Sequence, residues 1–222
     1  MGQRIDQARD VVYIVEDDDA ARALFFQVAR SMGLGCETFA SATEFLARCG
    51  ALRPGCLVLD LEMPDVGGLA LQQELILRGI TLPVIFVTGK GQIATAVEAM
   101  RQGAFNFLEK PFPNSELIEN IRRAIDLDHS HRRRLDRLDA IREKLGSLTP
   151  REQDVLNQVV SGRPNKIIAH DLNLSQRSIE MHRSRVMEKM GASSVAQLVR
   201  MLISVESSPR EGPEPPEGGA PE

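Results

Sequence analysis

"CLVLDLEMPDVGG", residues 56–68, decides the fold. Four of its first five residues are apolar, which suits a buried strand, and that strand runs straight into the carboxylate of Asp60. Leu61, Glu62, Met63 and Pro64 follow, then Gly67-Gly68, so the chain turns outward as soon as the carboxylate is delivered. Similar runs lie on either side: "VVYIV" (11–15), "CETF" (36–39), "LPVIFVT" (82–88) and "FNFLE" (105–109). Amphipathic stretches near 19–32, 42–49, 67–78 and 93–102 separate them, and a fifth begins near Ser115. Strands that are near-continuously apolar and alternate with helices predict a parallel sheet covered on both faces. Five such units predict a doubly wound, five-stranded α/β domain over residues 1–125. In such folds sites form outside the carboxyl ends of the strands.

The rest of the chain has a different character. Residues 115–144 read as one long helix, its polar middle "HSHRRRLDR" (129–137) belonging to a linker over 126–147. Two readings stay open: a solvated connecting helix with a packed first half, or a dimer seam or signal-carrying helix, two of its apolar intervals breaking the heptad rhythm. At "SLTPRE" a second domain, 148–205, begins. Thr149 is a good N-cap, Pro150 suits the first turn, and Glu152 stands three residues on, as a capping box requires. Three further helices are expected near 164–172, 176–190 and 194–204, giving a small all-α unit better suited to binding than to catalysis. The end, "ESSPREGPEPPEGGAPE" (206–222), has the composition of a disordered acidic tail.

A net charge of −4 excludes a nucleic-acid coat over the whole chain but not one basic domain. Residues 148–205 are such a region, with eight Lys or Arg against five Asp or Glu. Cys36, Cys49 and Cys56 are odd in number and lack metal-ligand spacing, so they are expected to be reduced packing residues. Apolar runs fall well short of the roughly 18 residues of a membrane span. "MGQRIDQARD" is too polar for a secretory leader. A cytoplasmic location is expected.

If the sheet is parallel, four strand ends converge. "EDDD" (16–19), Asp60, Thr88-Gly89 and Glu109-Lys110-Pro111 gather carboxylates, a hydroxyl and an ammonium at one place. Hard oxygen donors suit Mg²⁺. A carboxylate beside a divalent ion, with a lysine to balance incoming charge, is equipped to accept a phosphoryl group.

"IVEDDDAAR", "LVLDLEMPDVGG", "VIFVTGKG" and "FNFLEKPF" resemble a two-component response-regulator receiver domain over 10–125. The resemblance implies Asp60 as phospho-acceptor, Asp17 as a direct Mg²⁺ ligand, Glu16 as a water-mediated one, and the backbone carbonyl of Glu62 in the metal shell. It also implies Thr88 as switch hydroxyl, Lys110 as the ammonium that pairs with the phosphoryl group, Phe107 as aromatic switch, and a cis peptide before Pro111. The glycine pair is expected to give a phosphate-donating partner room. Glu62 and Lys90 flank the mouth and are candidates for pairing across it.

Residues 148–205 resemble a LuxR/FixJ-type helix-turn-helix. A helical wheel puts Ile179, Val186 and Met190 of the expected recognition helix inward. Arg177, Met181, Ser184 and Glu188 face outward, Glu180 and Arg185 lie on the shoulders, and His182 and Arg183 flank the core. Expected phosphate contacts are Lys166, Arg183 and Arg185; expected base contacts are Glu180 and Met181, with Arg177 and Ser184 on the same surface.

The whole reads as a FixJ-type response regulator, phosphorylated by a sensor histidine kinase. Phosphorylation is expected to drive homodimerisation and binding to an inverted repeat in promoter DNA, with RNA polymerase as a further partner. It is expected not to be an enzyme. The rival is a phosphorylation-independent DNA-binding regulator with a degenerate receiver, against which Asp17, Asp60, Thr88 and Lys110 all stand.

Overall fold

The computed structural model describes residues 10–64, 66–89 and 93–207. Strands β1 (Val11–Val15), β2 (Gly35–Phe39), β3 (Gly55–Asp60), β4 (Val84–Thr88) and β5 (Asn106–Glu109) form one sheet in the order β2-β1-β3-β4-β5. Every pairing is parallel. The three central strands are buried throughout, whereas the edge strands β2 and β5 are partly exposed. That difference explains why "CETF" and "NFLE" carry polar residues while the middle runs carry almost none. β4 starts two residues later than the apolar run suggests. Pro83 has no N–H to give, and its carbonyl instead accepts from the amide of Leu57 at 2.9 Å.

Helices α1 (Asp19–Ser31), α2 (Ala42–Arg48), α3 (Gly68–Leu77), α4 (Ile93–Arg101) and the start of α5 (Asn114–Gly146) cover both faces. Alternation along each strand sorts the core into two layers. Tyr13, Val15, Leu57, Leu59 and Phe86 meet Phe45 of α2, Leu71 and Leu75 of α3, and Ala99 of α4. Val12, Ile14, Val58 and Ile85 meet Phe25 and Val28 of α1 and Leu117 and Ile121 of α5. The expected doubly wound domain is therefore present. Cys36, Cys49 and Cys56 are free thiols, the last two buried.

One unit ends at Arg132 and a second begins at Arg133. Asp128 and His129, which the sequence assigns to the linker, thus belong with the sheet. Asp128 is fully buried and accepts from the amide of Gly55, at the start of β3, at 2.9 Å. The same oxygen accepts from Arg132 Nε at 2.8 Å. His129 Nε2 lies 2.7 Å from Oδ1 of buried Asp10, just ahead of β1. These contacts pin α5 to the amino end of the sheet.

The second unit contains α6 (Pro150–Val160), α7 (Asn165–Asp171), α8 (Gln176–Met190) and α9 (Val195–Glu206). Val155, Leu156, Ile168, Ile179, Val186, Met190 and Leu198 form its core, together with Ile141 and Leu145 from the end of α5. The capping box is present: Glu152 N–H donates to Thr149 Oγ1 at 3.3 Å, and Thr149 N–H donates to Glu152 Oε2 at 2.9 Å. Lys189 donates to the same carboxylate at 2.7 Å and, with that amide, holds its pKa down at about 2. α9 runs two residues past the expected 204; the remainder of the expected tail, 208–222, lies outside the described residues. Among the described residues no helix is long and apolar enough to cross a membrane.

Asp128→Ala leaves the buried Gly55 amide without its acceptor. The first unit should lose about 1–3 kcal/mol of stability, read as a lower urea midpoint, with Asp128→Asn losing less because one carbonyl acceptor remains. An unchanged midpoint in the alanine variant would show that this bond does not hold the amino end of the sheet.

Candidate functional site

The strand order 1-3-4-5 sets the carboxyl ends of β1, β3, β4 and β5 side by side. Glu16 and Asp17 follow β1, Asp60 closes β3, Thr88 closes β4, and Lys110 follows β5. Glu16, Asp17 and Asp60 each present a carboxylate oxygen within 4.8 Å of the others. Glu16 and Asp60 are buried and Asp17 is exposed, so the cluster opens to solvent on the Asp17 side.

Lys110 Nζ bridges the two buried acids, 2.9 Å from Glu16 Oε2 and 3.4 Å from Asp60 Oδ2. Burial pushes the Glu16 carboxyl up to about 7; the Lys110 hydrogen bond pulls it down, and the neighbouring Asp60 charge pushes it up again. Burial opposes the Lys110 charge, but Glu16 and Asp60 outweigh it and raise the ammonium's pKa. Glu16 Oε1 is buried with no hydrogen-bond partner. A carboxyl oxygen orphaned beside two further carboxylates is what a hard divalent cation would satisfy, so the donor set fits Mg²⁺.

Neighbours hold these groups in place. Glu62 N–H donates to Asp60 Oδ1 at 3.3 Å, on the turn directly beyond the strand. Arg22, on the first turn of α1, donates to the backbone carbonyls of Glu16 at 2.7 Å and Asp17 at 3.3 Å, and pairs with Asp19. Sequence reasoning missed Arg22. The available signal was its place one turn after Asp18, which caps α1 by accepting from Ala21 N–H. Lys110 Nζ lies 5.8 Å from the Phe25 ring centroid, and Phe25 stacks on Phe112 at 6.0 Å. Thr88 is buried and its hydroxyl donates to the carbonyl of Gly89 at 3.3 Å. Phe107, by contrast, is 40% exposed. The Lys110–Pro111 peptide is cis. Lys90 lies outside the described residues, so the suggested Glu62–Lys90 pairing falls outside them too.

Within the glycine pair, Gly68 has a packing reason of its own. A Cβ on Gly68 would lie 2.5 Å from the carbonyl oxygen of Asp60 and 2.9 Å from the Phe86 ring, whereas Gly67 has nothing closer than 3.8 Å. Gly68 therefore lets α3 start directly against the end of β3, and close packing accounts for this glycine.

In the second unit Ile179, Val186 and Met190 are buried as the wheel requires. Arg177, Glu180, Met181, Ser184 and Arg185 are exposed on α8, and Lys166 is exposed on α7. Arg183 is half-buried, and its Nη1 donates to Asn165 Oδ1 at 3.1 Å, orienting the guanidinium beside the start of α7. His182 Nδ1 is buried without a partner.

Residues 12–122 match the response regulator receiver domain, and residues 146–202 match the bacterial regulatory proteins of the luxR family. The chain belongs to the response regulators, with a receiver domain followed by a luxR-type DNA-binding domain. It is 38% identical over 206 residues to the response regulator protein TmoT of Ectopseudomonas mendocina, covering 93% of this chain and 94% of that one. It is 42% identical over 193 residues to the transcriptional regulatory protein FixJ of Rhizobium meliloti strain 1021, covering 87% and 95%. Among solved structures, the response regulator StyR superposes with a TM-score of 0.78 at 36% identity, covering 88% of this chain and 99% of that one.

Gly68→Ala should cost about 1–3 kcal/mol, the range for overpacking a filled core, because the Asp60 carbonyl or the Phe86 ring must move. Gly67→Ala, with open space around it, serves as the control and should be near neutral in the same denaturation experiment. Equal midpoints for both variants would remove the packing explanation.

Proposed function

We propose that Asp60 accepts a phosphoryl group from a sensor histidine kinase and that this switches DNA binding by the second unit to regulate transcription. The observation that carries the reading is the convergence of three carboxylates and one ammonium, with Glu16 Oε1 left unpartnered in a buried position. Glu16, Asp17, Asp60 and the backbone carbonyl of Glu62 would hold Mg²⁺. When bound, the ion neutralises charge on the incoming phosphoryl group. An Asp60 oxygen attacks the phosphorus of the kinase phosphohistidine. The P–N bond breaks as a P–O bond forms, leaving an acyl phosphate on Asp60, and the departing imidazole takes up a proton. Lys110 pairs with the phosphoryl oxygens.

Thr88 then turns its hydroxyl toward those oxygens, and Phe107 moves inward from its exposed position. This remodels the surface over 93–125 into a symmetric homodimer contact. No metabolite is turned over, so the protein acts as a cytoplasmic switch and not as an enzyme. Two copies of α8 would enter successive major grooves of an inverted repeat in promoter DNA, spaced about one helical turn apart. Lys166, Arg183 and Arg185 would contact phosphates. Glu180 and Met181 would read a cytosine amino group and a thymine methyl, with Arg177 and Ser184 beside them. RNA polymerase is the proposed recipient of the output.

Incubation with a small phosphodonor and Mg²⁺ should label the wild-type chain once. Asp60→Asn should abolish the label while the fold survives, and Lys110→Ala should keep some label but uncouple it from DNA binding. An undiminished adduct in Asp60→Asn, read by mass spectrometry, overturns the acceptor assignment. No label on the wild type favours the phosphorylation-independent regulator.

A salt titration tests the DNA face. Arg185→Ala should weaken binding on all duplexes alike and reduce the salt slope by about one charge. Glu180→Ala should instead cost about 1–3 kcal/mol of discrimination between preferred and scrambled duplexes. If Glu180→Ala weakens both equally, α8 faces the wrong way in this reading.

A further inference from the structure

The carboxyl ends of two helices meet inside the second unit. α5 ends at Gly146 and α8 at Met190. Each end carries unpaired carbonyls and the negative pole of its helix, so bringing them together concentrates like partial charge. Each helix supplies the other with an ammonium. Lys144, in the last turn of α5, donates to the carbonyl of Met190, the last residue of α8, at 3.2 Å. Lys189, in the last turn of α8, donates back to the carbonyl of Ser147, just past α5, at 3.1 Å. The two bonds run in opposite directions across the junction.

We propose that Lys144 is a positioning residue for DNA recognition, which sets the angle of α8 by completing this exchange of lysines with the end of α5. The inference rests on the reading of α8 as the groove-reading helix. Lys189 alone does not fix that angle, because its ammonium is shared with Glu152 Oε2 at 2.7 Å, which ties it to the start of α6. Lys144 has Met190 as its acceptor and lies close over the turn that follows. Gly191 takes a left-handed conformation there, φ 64°, and a Cβ on it would sit 3.2 Å from Lys144 Nζ. Beneath the pair, Ile141 and Leu145 of α5 belong to the same apolar core as Met190 and Met187 of α8. The core resists translation of one helix on the other, and the two oppositely directed lysine bonds resist rotation about their contact. Each bond is individually weak, since Lys144 and Lys189 are exposed. Their effect is on geometry, which base readout feels and phosphate attraction does not.

The test uses the full chain and Lys144→Met, which keeps the aliphatic stem but removes the donor, with Lys144→Arg as rescue. Binding is measured on a duplex selected by the wild type from a random pool and on a scrambled duplex of the same composition, over a salt series. Lys144→Met should weaken binding to the selected duplex about two- to fivefold, in line with one charge at a helix terminus. Binding to the scrambled duplex, the salt slope and the thermal midpoint should stay unchanged. Lys144→Arg should recover most of the selected-duplex affinity. Equal weakening on both duplexes with a slope reduced by about one charge makes Lys144 a phosphate contact and overturns the proposal. So does wild-type affinity in Lys144→Met. If the wild type itself shows no preference for any duplex, the DNA-reading assignment of α8 falls, and the positioning role falls with it.

Discussion

Like charges in a low-dielectric place are the constraint from which the rest of the receiver follows. A parallel sheet covered on both faces has its free chemistry at the strand ends, and here β1 and β3 both deliver carboxylates to the same end. Two of the three are buried, and burial together with the Asp60 charge raises the cost of ionising Glu16. Lys110 answers part of that charge from β5, and Glu16 still titrates near 7. The site is therefore short of positive charge, which a hard divalent cation would supply. Arg22 on the loop carbonyls, the Glu62 amide on Asp60 and the Phe25 ring near Lys110 keep the crowded groups from relaxing apart.

The second unit handles charge by the opposite route. Its buried acid, Glu152, is met by an ammonium and an amide, which leaves it strongly ionised and structural. Glu152, met on both sides, braces a helix start with its pKa held down, whereas Glu16, with Oε1 unpartnered, has its pKa pushed up by burial.

Most of the fold was legible because the burial of the central strands is total. An unbroken apolar run such as "VVYIV" has one good home in an α/β protein, and the capping box at Thr149–Glu152 is a local signal that the structure reproduces. The meeting of Glu16, Asp17, Asp60 and Lys110 was legible as a coincidence of strand ends together with motifs. What was not legible depends on partners far apart in sequence. Asp128 meets Gly55 and His129 meets Asp10, yet both residues sit in a stretch that reads as a linker between domains. Lys144 and Met190 offer no common periodicity. The packing role of Gly68 was not legible either, because only a three-dimensional neighbour, the Asp60 carbonyl, reveals how little space a Cβ would have.

The anchor at the amino end of the sheet bears on how far such proteins are modular. Residues 10–125 contain every described strand, and a gene fusion made there would appear to carry a complete receiver. It would leave behind buried Asp128, the acceptor for the Gly55 amide, and half-buried His129, the partner of the Asp10 carboxylate. A chimaera that swaps receivers at that junction must therefore bring its own Asp and His one helical turn into the borrowed linker. The portable unit extends to Arg132, and the linker is in part a strand-end cap.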